Sequence, residues 1–270
     1  MNVIMGFTNI ALQHADDSDK MKECLEKIRV SGSNLRELID DVLDISRIES
    51  GEFKIVSQPV KLSELFDFYC QAIAGMAETK NIRFSGKLHD ISHNVLLSDQ
   101  IRLGQIYMNL LSNAVKYTPE NGDVKFEVYE EKLAESGKVR LVSVVSDTGI
   151  GMSRAFLAHI FDPFAQEHTD ARSVYHGTGL GMAIVKSLID KMGGSIEVSS
   201  REGEGSKFVI TLPFEIAEEL PEPQQTAWET EAADVRGLRI LLAEDNALNA
   251  EIVKKLLEDR GAEVEATPDG

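Results

Sequence analysis

The chain has 270 residues, 43% of them hydrophobic, enough for about two domains with apolar cores. Asp and Glu number 45 against 28 Lys and Arg, and the formal net charge of -17 argues against nucleic acid and anionic membrane as partners, since phosphates would be repelled over most of the surface. Cys24 and Cys70 read as core thiols of a reducing compartment, and no apolar run nears the roughly 20 residues that span a bilayer.

From the N-terminus, an apolar segment over 1–12 and a turn near 15–18 precede a long helix starting at Ser18 or Asp19 and ending at Gly51. Its apolar residues (Met21, Leu25, Ile28, Leu35, Leu38, Ile39, Val42, Ile45, Ile48) form a near-heptad stripe. Two such helices make an antiparallel hairpin that cannot bury this stripe alone, so a homodimer through a four-helix bundle is expected. Helices are expected at 62–80, 99–118 and 181–192, and strands at 124–130, 139–146, 195–199 and 207–212, with His89 and His93 in a polar connection. The predicted class is α+β: a two-layer α/β sandwich with its helices on one face. An acidic, proline-bearing stretch over 217–237, with Trp228, reads as a linker, and 238–270 as strand, helix, strand.

Three stretches carry chemistry. In NLLSNAVKYT, Asn109 and Asn113 stand four apart on an apolar helix, so both amides project from one face. One amide oxygen is a sufficient protein ligand for Mg²⁺, which keeps waters and shares its shell with substrate phosphates. Lys116 and Tyr117 add a phosphate countercharge and an aromatic contact. In DTGIGM, Asp147 ends an apolar strand and can accept a hydrogen bond from a purine amine, while Gly149 and Gly151 let backbone approach the base. In HGTGLGM, residues Gly177, Thr178, Gly179, Leu180 and Gly181 precede a helix whose free amides suit a triphosphate. Each stretch alone is commonplace; together and in this order they build a site for ATP with Mg²⁺.

These stretches resemble the N box and the two glycine boxes of the ATP-binding domain of sensor histidine kinases, in the superfamily shared with gyrase B, MutL and heat-shock chaperone ATPases. FDPF (161–164) is similar to the kinase F box, and GEGSKFVITLP (203–213) to the glycine turn and closing strand. The resemblance implies that Asn113 coordinates Mg²⁺, Lys116 contacts phosphate, Tyr117 lies near the base, Asp147 reads adenine and Gly177 to Gly181 cradle phosphates. The segment between Met152 and His176, with Arg172, would be a mobile lid. Hydrolysing relatives carry Glu where Asn109 stands; an amide cannot serve as a base, so phosphoryl transfer is favoured over hydrolysis.

MNVIMGF and DDVLDISRIESGEF (40–53) resemble the two helices of the dimerisation and histidine-phosphotransfer domain. By that resemblance the phosphoacceptor histidine lies just before Met1, so none of the six histidines is expected to serve, and self-phosphorylation is expected to be lost. The segment from LRILLAEDN to the C-terminus resembles the opening of a response-regulator receiver, with Glu244 and Asp245 as its acidic metal pair, an incomplete site in a piece expected to be loosely held. The expected organisation is phosphotransfer helices over 1–53, an ATP-binding domain over 54–216, a linker over 217–237 and a receiver start over 238–270. Partners would be a second copy and a receiver domain of the same or another protein. The location would be cytoplasmic, with any membrane anchor upstream. Two alternatives are an ATPase of the gyrase or chaperone type, and a nucleotide-controlled binding or phosphatase module.

Overall fold

The computed structural model describes residues 2–14, 16–50, 54–133, 137–167, 178–217 and 235–268. Gly177, Arg172, His168, His176, most of the expected linker and Trp228 lie outside the described residues. Two compact units divide at about residue 220.

In the first unit, α1 (Asn2–Gln13) and α2 (Ser18–Glu49) form the expected hairpin. Asp17 Oδ1 accepts the Lys20 N–H at 3.1 Å, satisfying one orphan donor of the first turn, and that bond holds the carboxyl below its ordinary range. The apolar stripe remains largely open: Leu25, Leu38, Ile39 and Val42 are exposed, while Cys24 is buried.

The rest of the unit is a seven-stranded sheet covered on one face by helices. In chain order it holds β1 (Gln58–Lys61), α3 (Leu62–Thr79), β2 (Arg83–His89), β3 (Val95–Ser98), α4 (Gln100–Tyr117), β4 (Asp123–Lys132) and β5 (Lys138–Asp147). After these come α5 (Arg154–Leu157), α6 (Gly181–Lys191), β6 (Ser195–Arg201) and β7 (Gly205–Ile216). The strand order is β1-β3-β7-β5-β4-β2, and β6 also pairs β7. One edge of β7 is shared end to end, with β6 along residues 205–211 and β3 at Glu215 and Ile216. Strict alternation aims Val124, Phe126 and Val128 of β4, and Val139, Leu141 and Val145 of β5, at the helices. These meet Ile73 of α3, Ile106, Leu110 and Leu111 of α4, and Ile184 and Leu188 of α6, all essentially fully buried.

Three strands were not expected from the sequence. The segment containing His89 is not a loop: His89 ends β2, which runs parallel to β4, stacks on Tyr129 with centroids 4.3 Å apart, and pairs Glu127 at 2.9 Å. Only two turns of apolar alternation, Phe84 and Leu88, survive in β2, because Gly86 sits where a Cβ would overlap Cys70 Sγ of α3. β1 and β3 are four residues each, too short for a periodicity to register.

The second unit pairs β8 (Arg239–Ala243) in parallel with β9 (Glu263–Thr267), joined by α7 (Ala247–Glu258). Asn246 caps α7, its Oδ1 accepting N–H groups of Leu248 at 3.0 Å and Asn249 at 3.3 Å. The strand, helix and strand expected of this segment are present, and Leu241, Leu248, Ile252 and Leu256 are exposed.

Candidate functional site

Helix α4 carries the first set of predicted residues. Asp99 anchors its start, Oδ1 accepting the Arg102 N–H at 3.1 Å and Oδ2 the Val56 N–H at 2.9 Å. With Ile106, Leu110, Leu111 and Ala114 buried in the core, the 3.6-residue period sets Asn109, Asn113, Lys116 and Tyr117 along the half-buried flank of that apolar stripe. There α4 lies against the start of α6. A Cβ on Gly181 would stand 2.8 Å from Asn109 Oδ1, so glycine permits this approach. Asn113 Nδ2 reaches Met182 Sδ at 3.7 Å, while its Oδ1 accepts no bond among the described residues and is left as a hard oxygen. Lys116 Nζ lies 5.0 Å from the Tyr117 ring centroid, and burial pushes the Tyr117 hydroxyl pKa up.

Asp147 ends β5 between β4 and β7, where Val124 and Ser206 are its register partners. Its Oδ1 accepts N–H groups of Gly149 at 2.8 Å and Ser206 at 3.3 Å. Burial raises the carboxyl pKa, and those two hydrogen bonds oppose it. Oδ2 accepts nothing among the described residues, so one acceptor remains unused on a carboxylate braced through its other oxygen. Gly149 is confined between Asp147 Oδ1 and the Tyr117 carbonyl, each under 3 Å from where a Cβ would sit. Gly151, at φ +64°, stands where a Cβ would overlap the Arg201 carbonyl, so space dictates glycine at both positions and conformation also does at Gly151. The Ile150 N–H donates to the Tyr117 carbonyl at 3.2 Å, joining this loop to the end of α4.

Of the glycine-rich loop, Thr178 to Gly181 are described. Leu180 is fully buried and is the N-cap of α6; Gly179, at φ +73°, accepts the Phe164 N–H at 3.0 Å, which ties the FDPF turn to the loop. Thr178 Oγ1 accepts the Leu180 N–H at 3.1 Å and donates to Asp41 Oδ2 of α2 at 3.1 Å. Sequence reading missed this α2 carboxylate, and also Asp44 one turn on, which binds Arg102 at 3.0 Å and Gln105 at 2.9 Å. Their i, i+3 spacing on α2 was the available signal, but helix-surface acids are common enough that it points nowhere by itself. Lys80, whose ammonium meets carbonyls of α4, was also missed.

Asn109, Asn113, Lys116, Tyr117, Asp147, Gly149, Gly151, Thr178, Gly179, Leu180 and Gly181 therefore belong to one continuous surface made by α4, the 147–151 loop and the start of α6. The donor set fits a nucleotide with a hard cation: an unengaged amide oxygen, an unengaged carboxylate oxygen and backbone without side chains. In the second unit, Glu244 Oε1 accepts the Asn246 N–H at 3.2 Å and an Asn249 amide N–H at 3.3 Å, which orients it beside Asp245. Among the described residues no group of three His, Cys, Asp or Glu side chains is placed to hold a metal.

Comparison with known proteins places these features. Residues 1–51 match the His Kinase A (phospho-acceptor) domain, and residues 98–216 match the histidine kinase-, DNA gyrase B- and HSP90-like ATPase family. The autoinducer 2 sensor kinase/phosphatase LuxQ of Vibrio parahaemolyticus is 33% identical over 273 residues, which cover 100% of this chain and 32% of that protein. The sensor histidine kinase GacS of Pseudomonas protegens is 33% identical over 264 residues, 98% of this chain and 28% of its own length. Among solved structures, full-length ShkA in complex with AMPPNP aligns with a TM-score of 0.61 at 29% identity, over 93% of this chain and 49% of that one. The chain thus spans about a third of the length of the curated relatives it matches. With a match to a phospho-acceptor domain followed by a match to an ATPase domain, the chain belongs to the sensor histidine kinases.

Proposed function

We propose that this chain is the catalytic region of a two-component sensor kinase, which binds Mg-ATP and passes the γ-phosphoryl group to a histidine imidazole. The observation that carries this reading is Asp147: a half-buried carboxylate with one oxygen locked by two backbone N–H groups and the other accepting nothing among the described residues, beside the side-chain-free backbone of Gly149. That arrangement suits the exocyclic amine of adenine. Asn113 Oδ1 would hold Mg²⁺, which supplies charge neutralisation at the phosphates. Lys116 would add a countercharge, and the amides of the 177–181 loop would take the phosphate oxygens. Positioning and electrostatic stabilisation suffice for in-line phosphoryl transfer. Asn109, which stands against Gly181, carries an amide that cannot act as a base on water, which supports transfer over hydrolysis.

The open stripe of Leu25, Leu38, Ile39 and Val42 supports pairing with a second copy through α1 and α2. No described helix is long and apolar enough to cross a membrane. A cytoplasmic location and a receiver domain as the next phosphate acceptor complete the proposal. The relative ShkA, solved with AMPPNP, an ATP analogue, lends weight to the nucleotide assignment.

The test is to incubate the purified chain with γ-labelled Mg-ATP and a separately supplied histidine phosphoacceptor domain. Label on the histidine domain is the expected result. Steady-state phosphate release without such transfer would overturn the proposal in favour of an ATPase. Mg-ATP binding without transfer or release would favour a nucleotide-controlled phosphatase module, a reading with some support in the Asp41 carboxylate at the phosphate loop.

A further inference from the structure

The last carbonyls of a helix have no partners within it, and those of α4 lie beside the nucleotide residues Lys116 and Tyr117. Each is accounted for. The Ala114 carbonyl accepts the Thr118 N–H at 3.2 Å and its hydroxyl at 2.6 Å. The Tyr117 carbonyl accepts the Ile150 N–H at 3.2 Å. The carbonyls of Val115, Lys116 and Thr118 converge on one ammonium, Lys80 Nζ, at 2.9, 2.9 and 3.1 Å. An ammonium has three N–H donors and no acceptor, which matches three carbonyls, with a cation set at the negative end of the helix dipole. Desolvation draws the Lys80 pKa down, and the nearby Glu120 carboxylate opposes that.

Lys80 is also the residue that closes α3. The corner it belongs to is fastened to the turn after α4 by two more bonds, Asn121 N–H to the Asn81 carbonyl at 2.8 Å and Arg83 N–H to the Gly122 carbonyl at 2.9 Å. The backbone of 115–118 is thereby referenced to α3 and β2 through a side chain, and the 147–151 loop is referenced to that backbone through Tyr117.

We propose that Lys80 is a positioning residue of the nucleotide site: it fixes where Lys116 and Tyr117 stand and, through the Tyr117 carbonyl, where the Asp147 loop stands, without touching nucleotide itself. The proposal rests on the reading that these residues grip Mg-ATP. A helix end released from its ammonium frays, because three carbonyls must find water and the turn they belong to loses its direction.

The experiment compares the full chain with Lys80→Met, which keeps the stem and removes the donors, and Lys80→Arg, which restores them. Mg-ATP dissociation constants are measured by calorimetry at a temperature where circular dichroism shows every variant folded. Lys80→Met is expected to weaken binding about tenfold or more, consistent with lost hydrogen bonds to a charged group, and Lys80→Arg to recover most of it. A Lys80→Met constant within about twofold of the parent, whatever its melting temperature, would overturn the proposal by leaving Lys80 a purely structural cap. If Lys80→Met does not fold, Lys80→Gln, which retains part of the donor set, is read by the same criterion. A parent that does not bind Mg-ATP marks failure of the functional reading instead. In that case backbone amide resonances of Lys116 to Thr118 and Ile150 that stay unmoved in Lys80→Met would refute the positioning role separately.

Discussion

Replacing Asp147 by Asn separates the brace of the adenine loop from its reading edge. In the parent, Oδ1 is committed to the N–H groups of Gly149 at 2.8 Å and Ser206 at 3.3 Å, and Oδ2 accepts nothing among the described residues. Asparagine is nearly isosteric, and its carbonyl oxygen can keep the two internal bonds, so the loop should hold its shape. The atom at the Oδ2 position becomes an NH₂ group, which opposes the donating amine of adenine. A hydrogen bond to a charged acceptor contributes about 1.5–3 kcal/mol, and one left unmade against a buried donor costs a similar amount. At ~1.4 kcal/mol per decade, Mg-ATP affinity should fall roughly 10- to 150-fold. The same substitution offers a donor to the O6 carbonyl of guanine, so the ATP:GTP preference should narrow by more than ATP binding alone explains. Calorimetric titrations with Mg-ATP and Mg-GTP, beside a melting curve, make the measurement. An Asp147→Asn variant that binds ATP like the parent, with an unchanged melt, refutes the assignment of this carboxylate to the base. Asp147→Ala should differ by lowering the melting temperature too, since two backbone N–H groups lose their acceptor.

Asn113→Ala should weaken Mg-ATP binding on the order of 10-fold while leaving Mg-free nucleotide affinity nearly unchanged, as expected for loss of a metal ligand; equal losses in EDTA and in Mg²⁺ would contradict it. Asp44→Ala should remove the carboxylate that Arg102 and Gln105 share, in a contact where Arg102 is 22% and Asp44 15% exposed. The expected penalty is about 1–3 kcal/mol, read as lost hydrogen-exchange protection at the C-terminal half of α2, with unaltered protection there as the refuting result. Glu130→Gln tests a pH dependence. Burial raises the Glu130 carboxyl, but hydrogen bonds from the His93 N–H and ring and from the Ser92 N–H outweigh it and leave the pKa below its ordinary 4.5. A depressed folded-state pKa stabilises above the ordinary value and that contribution is lost as pH falls through the folded one. The melting-temperature gap between parent and Glu130→Gln should therefore be widest near neutrality and close in acid; a gap that is constant with pH would disprove the attribution.

The helices of this protein could be read from its sequence because each shows several turns of one-sided apolarity. The expected span of α2 agrees with the observed Ser18–Glu49, and α3, α4 and α6 fall within a residue or two of expectation. Strands β4 and β5 were readable for the matching reason: ten residues of alternation with one face buried. β2 escaped because Gly86, required by the approach of α3, interrupts its inward row, and β1 contains Pro59 within four residues. The site was readable as residue types and spacing, but not as a network. Nothing in the spacing of Asn109, Asn113 and Asp147 indicates that Lys80 holds the end of α4 or that Asp41 reaches Thr178, since both contacts join positions more than 30 apart along the chain. Long-range polar contacts of this kind depend on how helices dock, which periodicity does not encode.

The sheet order places strands from the first quarter of the nucleotide domain at both of its margins: β1 and β3 on one side, β2 on the other. The ATPase family match begins only at residue 98, the last residue of β3. A truncation cut at that boundary would bare the outer ladder of β4 and part of that of β7, and would strip α3 with Ile73 and Phe66 from the apolar layer. Unpaired ladders beside an uncovered apolar face invite self-association. Any shortened form meant to stay monodisperse should therefore start upstream of Gln58, and gel filtration of versions beginning on either side of β1 would show the difference.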